Sequence, residues 1–202
     1  MLYALISRLL LPSAWWGRMR VEGLGLVPKH GPLLVVPNHD SQMDPVLVAV
    51  ALRKIRPLRF LARADLWKMF GMAPLMNGMR QIPIERGARD ETALSSAVEA
   101  LEAGEAVCIF PEGKLSRGER LRARSGVGRL AALCPQAHVL LCTVEGSTDY
   151  VRFPKRPRVR LTVFEPESGQ PREGEAPAEL AERYLDELRR RVPPALAGRG
   201  RK

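Results

Sequence analysis

Cysteines, aromatic side chains, acidic residues and long apolar runs are all in short supply in this chain of 202 residues. Only three cysteines occur, Cys108, Cys134 and Cys142, with no C-x-x-C pair and no histidine placed to share a metal. That argues against a disulfide framework and a structural zinc, and it suits a reducing compartment. Aromatic residues make up 5% of the chain and no nucleic-acid module is visible, so recognition by base stacking has little support. No apolar stretch reaches the ~20 residues that a bilayer-spanning helix requires. Asp and Glu total 22 against 32 Lys and Arg, a net charge of +10. The partners to expect are therefore anionic: phosphate esters, anionic lipid, an acidic carrier protein or nucleic acid.

A hydrophobic share of 46% against 27% charged residues is enough for one domain with a proper core. The opening "MLYALISRLLLPSAWW" lacks the order of a secretory signal. As a helix over residues 1–11, ended by Pro12, it places Leu2, Tyr3, Ile6, Leu9 and Leu10 on one face, with Trp15, Trp16, Arg18 and Arg20 behind. Two readings fit: an amphipathic helix lying in a membrane surface, or a helix docked on the core.

Further along, short apolar runs alternate with helical patterns. "PLLVVPN" (32–38), "LRFLA" (58–62), "QIPIER" (81–86), "AVCIF" (106–110) and "AHVLLCTV" (137–144) read as strands, with Pro83 marking an edge or a bulge. "RPRVRLTVFEP" (156–166) alternates with period two, as a half-exposed strand does. Helices are expected from Asp44-Pro45 to 52, over 91–103 between an Asp90 cap and Gly104, over 126–134, and from Leu180 onwards. "DLWKMFGMAPLMNGM" (65–79) suits either core or an acyl-chain groove. The expected class is α/β, a single domain with a central, mostly buried sheet flanked by helices, plus the N-terminal amphipathic helix. Its parts would be a membrane-associating segment (1–20), the main domain (21–166), a linker rich in Pro, Gly and Glu (167–179), and a C-terminal helix with a basic tail (180–202).

Chemistry-bearing residues begin in "VVPNHDSQMDP" (35–45). His39 and Asp44 are roughly 140° apart on a regular helix, so they meet only if His39 sits in the loop and Asp44 turns back from the helix start. Together they would make a general base with an orienting carboxylate. The alternatives are Asp44 as a plain helix cap beside a loop histidine, and a metal site from His39, Asp40 and Asp44. Arg80 and Arg86 flank "IPI", where an arginine at a strand end can grip a phosphate. The turn in "FPEGKLSR" brings Glu112, Gly113, Ser116 and Arg117. Singly, each of these is an ordinary surface arginine or an ordinary turn.

In this order, "NHDSQMD", "IPIER" and "FPEGKLSR" resemble the three motifs of the 1-acyl-sn-glycerol-3-phosphate (lysophosphatidate) acyltransferase family of the glycerolipid acyltransferases. The likeness runs from about Val21 to Glu165. It implies transfer of a fatty acyl group from acyl-CoA or acyl-ACP, the acyl carrier protein thioester, to the free hydroxyl of a lysophospholipid. No metal, and no cofactor beyond that donor, is implied. By the same resemblance His39 is the base and Asp44 its orienter; Arg86 holds the acceptor phosphate, Glu112 and Gly113 shape the acceptor site, and Ser116 and Arg117 support it. It also implies an αβ fold whose site faces a membrane. The expected place is the cytoplasmic face, peripheral or monotopic, with lysophospholipid, an anionic bilayer and an acyl carrier protein as partners and no nucleic acid.

"ARADL" (62–66) keeps the family's charges, with Arg63 and Asp65 where Lys and Glu are usual. "AHVLLCTVEG" (137–146) departs from the fourth motif, with His138 and Leu141 where prolines are usual, which bears on the acceptor rather than on the reaction type. The expected product is phosphatidate from 1-acyl-glycerol-3-phosphate. The rivals are another lysophospholipid or amine-linked acceptor, and an inactive basic protein that binds lipid or nucleic acid. Direct attack by the acceptor is expected, with Ser41 and Cys142 the nucleophiles that a covalent route would use.

Overall fold

Apolar runs of four to eight residues, covered on both faces, become the middle of a parallel sheet. The computed structural model describes residues 8–85, 90–152, 154 and 156–196. Among them, seven strands form one sheet: β1 (Arg20–Glu22), β2 (Leu33–Pro37), β3 (Leu58–Arg63), β4 (Ile82–Ile84), β5 (Ala106–Cys108), β6 (His138–Glu145) and β7 (Arg160–Phe164). Their order is β1-β7-β6-β2-β5-β3-β4. Every neighbouring pair is parallel except β6 and β7. Along β2, Leu34 and Val36 enter one core while Leu33 and Val35 enter the other, the period of two that a pleated strand imposes. With a core on each side, β2 has no polar position to offer.

The helices are α1 (Leu11–Trp16), α2 (Asp44–Leu52), α3 (Met72–Gly78), α4 (Glu91–Glu102), α5 (Gly126–Leu133) and α6 (Pro177–Arg191). Leu94 and Leu101 of α4, Val127 and Leu130 of α5, and Leu180, Tyr184 and Leu188 of α6 cover one face. Leu47, Val48 and Leu52 of α2 cover the other, against Leu58 and Phe60 of β3. The expected α/β sheet flanked by helices is what folds. Asp90 caps α4 by accepting from the Ala93 amide at 3.0 Å, and Pro83 falls in the edge strand β4.

Elsewhere the chain differs from its reading. The helical residues 8 and 9 give way to a turn at Leu10, so the helix before Pro12 stops as expected; Pro12 then sits in the first turn of α1, where its missing N–H costs nothing. Residues 1–7 lie outside the described residues. Helix α1 is docked rather than free: Arg156 lies 4.5 Å over the Trp15 ring and 5.4 Å over Trp16, and donates to both of their carbonyls. Arg20, placed at the end of the expected membrane segment, pairs with Arg160 in the short strand β1, too brief to show a pattern. The 65–79 stretch splits into a 3-10 turn (Ala64–Lys68) and α3, leaving Met69 and Phe70 exposed at the tip between them. The segment read as a linker is irregular up to Ala176 and is bound down on α6: buried Glu187 accepts from the Glu167 and Ser168 amides, and Arg183 pairs with Glu175 at 2.7 Å. No helix among the described residues is long and apolar enough to cross a membrane.

Candidate active site

Strands β2 and β5 lie side by side and parallel, so the loops leaving their carboxyl ends meet on one edge of the sheet. The first loop carries His39 and Asp44, the second Glu112. Asn38 pins the first: its side-chain amide donates to the Val144 carbonyl at 3.0 Å and accepts from the Val144 amide at 2.7 Å, continuing the β2–β6 ladder by one rung.

Asp44 stands at the first position of α2, yet its carboxylate does not cap that helix. It turns back, and Oδ2 accepts from the Asp40 and Ser41 amides at 2.7 Å each and from His39 Nδ1 at 3.2 Å. The plain-cap alternative is thereby set aside. A carboxylate only accepts, so Nδ1 carries the hydrogen and the lone pair of the neutral ring sits on Nε2. Nε2 makes no hydrogen bond among the described residues. The ring stacks on Phe110 with centroids 4.1 Å apart, which fixes its second degree of freedom. Asp44 is fully buried and His39 is 16% exposed, so the imidazole reaches solvent while the carboxylate does not.

Glu112 is buried, and burial pushes its carboxyl up to about 7 against the opposing pull of Arg189. Arg189 donates through Nε to Glu112 Oε1 at 2.7 Å, and through Nη1 and Nη2 to the two Asp40 oxygens at 2.9 Å each. Ser116 is buried too; its amide donates to the His39 carbonyl at 2.8 Å and its hydroxyl to Asp40. Gly113 makes the turn with φ of 66°, where a Cβ would also meet Arg124 at 3.0 Å. Of the site's carboxylate oxygens, Asp44 Oδ1 and Glu112 Oε2 have no hydrogen-bond partner among the described residues.

His39, Asp44, Glu112, Gly113 and Ser116 are thus brought together. Arg117 follows on the exposed side with a left-handed backbone, φ 53°. Arg86 lies outside the described residues, and Arg80 is paired with Glu105 at 2.6 Å. Asp40, a proposed metal ligand, is occupied by Arg189, Ser116 and Asn38 instead. Among the described residues, no group of three or more His, Cys, Asp or Glu is arranged to hold a metal ion. His138 sits at the opposite end of β6, paired with Glu165, because its register partner on β2 is Leu33 while Cys142 is level with Pro37. The departure from the fourth motif is therefore remote from His39 at His138 and lies in the core at Leu141. Cys142 is fully buried, and burial, reinforced by Asp44, pushes its thiol well up.

Asn38 and Arg189 were missed in the sequence, and Asp40 was considered only as a metal ligand, not as the partner of Arg189. Asn38 and Asp40 flank His39 in the same motif. Arg189 had one signal, its i, i+4 spacing from Leu185, which places an arginine beside the apolar stripe of α6.

The Acyltransferase family model matches residues 18–145. Lyso-ornithine lipid O-acyltransferases are among the relatives: that of Brucella abortus is 32% identical over 50% of this chain and 38% of its own length, and that of Pseudomonas aeruginosa is 37% identical over 63% and 50%. The chain thus spans half or less of the length of these curated relatives. The crystal structure of the 1-acyl-sn-glycerophosphate (LPA) acyltransferase PlsC from Thermotoga maritima superposes with a TM-score of 0.73 at 24% identity, covering 94% of this chain and 77% of that one. That likeness shows the fold. A family match over more than half of the sequence, spanning the loops after β2 and β5, carries the conclusion: this chain belongs to the acyltransferase family.

Proposed function

We propose that this acyltransferase moves a fatty acyl group from a thioester, acyl-CoA or acyl-ACP, to the free hydroxyl of 1-acyl-sn-glycerol-3-phosphate, giving phosphatidate. The observation that carries the reading is the His39 Nδ1 to Asp44 Oδ2 contact, with Asp44 held by two backbone amides and Nε2 left for substrate. Nε2 takes the proton of the acceptor hydroxyl as its oxygen attacks the thioester carbonyl. The C–O bond forms, the C–S bond breaks, and the imidazolium returns the proton to the departing thiolate. A thioester is already activated, so a covalent acyl-enzyme gains little. Neither Cys142, sealed in the core, nor Ser41, whose Oγ accepts from the Met43 amide, is required.

A second acceptor has its own support. Lyso-ornithine lipid carries an amine where lysophosphatidate carries a phosphate, and relatives are named for it. The cavity of about 190 Å³ beside Asp40 is walled by Glu145 and Asp149 as well as Arg158. Purified protein offered acyl-CoA and acyl-ACP with each lysolipid, and read by mass spectrometry of the product, decides between them. Phosphatidate as the main product supports the proposal; transfer confined to lyso-ornithine lipid replaces it. Exposed Met69 and Phe70, with Leu9 and Trp15, support work at a lipid surface.

A further inference from the structure

Arg189 stands on the last turn of α6, 149 residues from Asp40 in sequence and outside the family-matched segment 18–145. Its side chain is 4% exposed. The guanidinium reaches both Asp40 oxygens and Glu112 Oε1, so a single planar fork ties the loop after β2 to the turn after β5. Asp40 is the residue after His39; Glu112 opens the turn that leads to Ser116, whose amide holds the His39 carbonyl. With Oε1 taken by Arg189, Glu112 Oε2 has no hydrogen-bond partner among the described residues.

We infer that Arg189 is a positioning residue for acyl transfer: it clamps the His39 loop to the Glu112 turn and so holds His39 and the Glu112 carboxylate in one fixed relation. This rests on the reaction proposed above. A device for stability alone has no need of the arrangement, because buried ion pairs are commonly replaced by apolar side chains without loss. What the fork supplies is geometry. Five donors in one plane meet two carboxylates at fixed angles, which a lysine, as a point charge, cannot do. Displacements of about 1 Å in such loops are enough to cost on the order of a hundredfold in rate. Glu112 also faces Asp40 and His39, and of these three neighbours Asp40 raises its carboxyl while Arg189 and His39 draw it down.

The test compares Arg189→Lys and Arg189→Met with Arg190→Ala, an exposed control on the same turn. Three readouts are taken: kcat and KM, the acidic limb of the kcat/KM profile, and amide hydrogen exchange over 38–44 and 110–117. Arg189→Lys should lower kcat roughly tenfold and Arg189→Met roughly a hundredfold, with KM changed less than about threefold. The acidic limb should move to higher pH in Arg189→Met only, because the charge that draws Glu112 down is gone. Exchange should quicken in both loops and not in β2. Arg190→Ala should match the wild type in all three. A structural role alone would lower Tm and leave kcat and the limb in place below it. If Arg189→Met does not fold, Arg189→Lys decides: wild-type kcat and wild-type exchange overturn the clamp. If the wild type transfers to no lysolipid, the reaction reading fails by itself, and exchange still decides, with unchanged loops in Arg189→Lys overturning this inference.

Discussion

Glu112 shows how a single side chain reports on the whole site. Its carboxyl sits at about 7, above the 4.5 of an ordinary glutamate, because burial opposes its charge more than Arg189 favours it. Between those values the folded protein binds more protons than the unfolded chain. Stability from this group is therefore fully present below about pH 4.5 and is lost as pH rises through 7. In thermal melts at pH 5 and pH 8, Glu112→Gln should remove that part of the pH slope, so wild type gains on the variant towards the acid side. Equal slopes would place Glu112 in a solvated position. At this scale the sequence was informative where chemistry is local. His39 and Asp44 lie within one short run, and the one fact needed beyond their spacing was that Asp44 turns backward to the Asp40 and Ser41 amides. Arg189 was not legible as part of the site, because nothing in a helix stripe says which distant loop an arginine will meet.

The strands and helices that carry the two cores were legible because their apolar residues recur at the period of their element. Strands β2 and β5 are apolar throughout because the two cores cover both faces of the sheet there, and β6 is apolar from Val139 to Cys142 for the same reason. Strand β1, three residues long, exists only by pairing with β7, so it leaves no pattern to read. Over 167–179 Pro, Gly and Glu mark a connection that runs irregularly to the start of α6 at Pro177; composition does not say that Glu187 and Arg183 of α6 bind it down, because those contacts join distant positions. Helix α6 in turn depends on Gly128 of α5, where a Cβ would lie 2.0 Å from the Pro177 carbonyl oxygen. Gly128→Ala should cost about 1–3 kcal/mol through forced separation of the two helices, read as a lower midpoint in urea. A variant as stable as wild type would mean that α6 shifts freely on α5, and Arg189 could not then hold its register.

For the molecule as a whole, the proposed work at an anionic lipid surface rests on a net charge of +10 and the exposed tip at Met69 and Phe70. Replacing both residues by Asp should reduce retention on vesicles containing anionic lipid several-fold at moderate salt, with Tm unchanged; undiminished retention would put the contact elsewhere on the protein. The central claim, though, is chemical: a loop histidine, oriented by a carboxylate that the sheet edge buries, moves an acyl group without a covalent intermediate. The measurement that reaches it most directly is product formation from a thioester donor and a lysolipid, compared in wild type, His39→Ala and Asp44→Asn at equal folded concentration. Asn keeps an oxygen for the two amides, so Asp44→Asn removes the charge and little else. The account predicts one acylated lipid per thiol released in wild type, none above background in His39→Ala, and a loss of about 10²–10⁴-fold in kcat for Asp44→Asn. Wild-type turnover in a folded His39→Ala protein would contradict it.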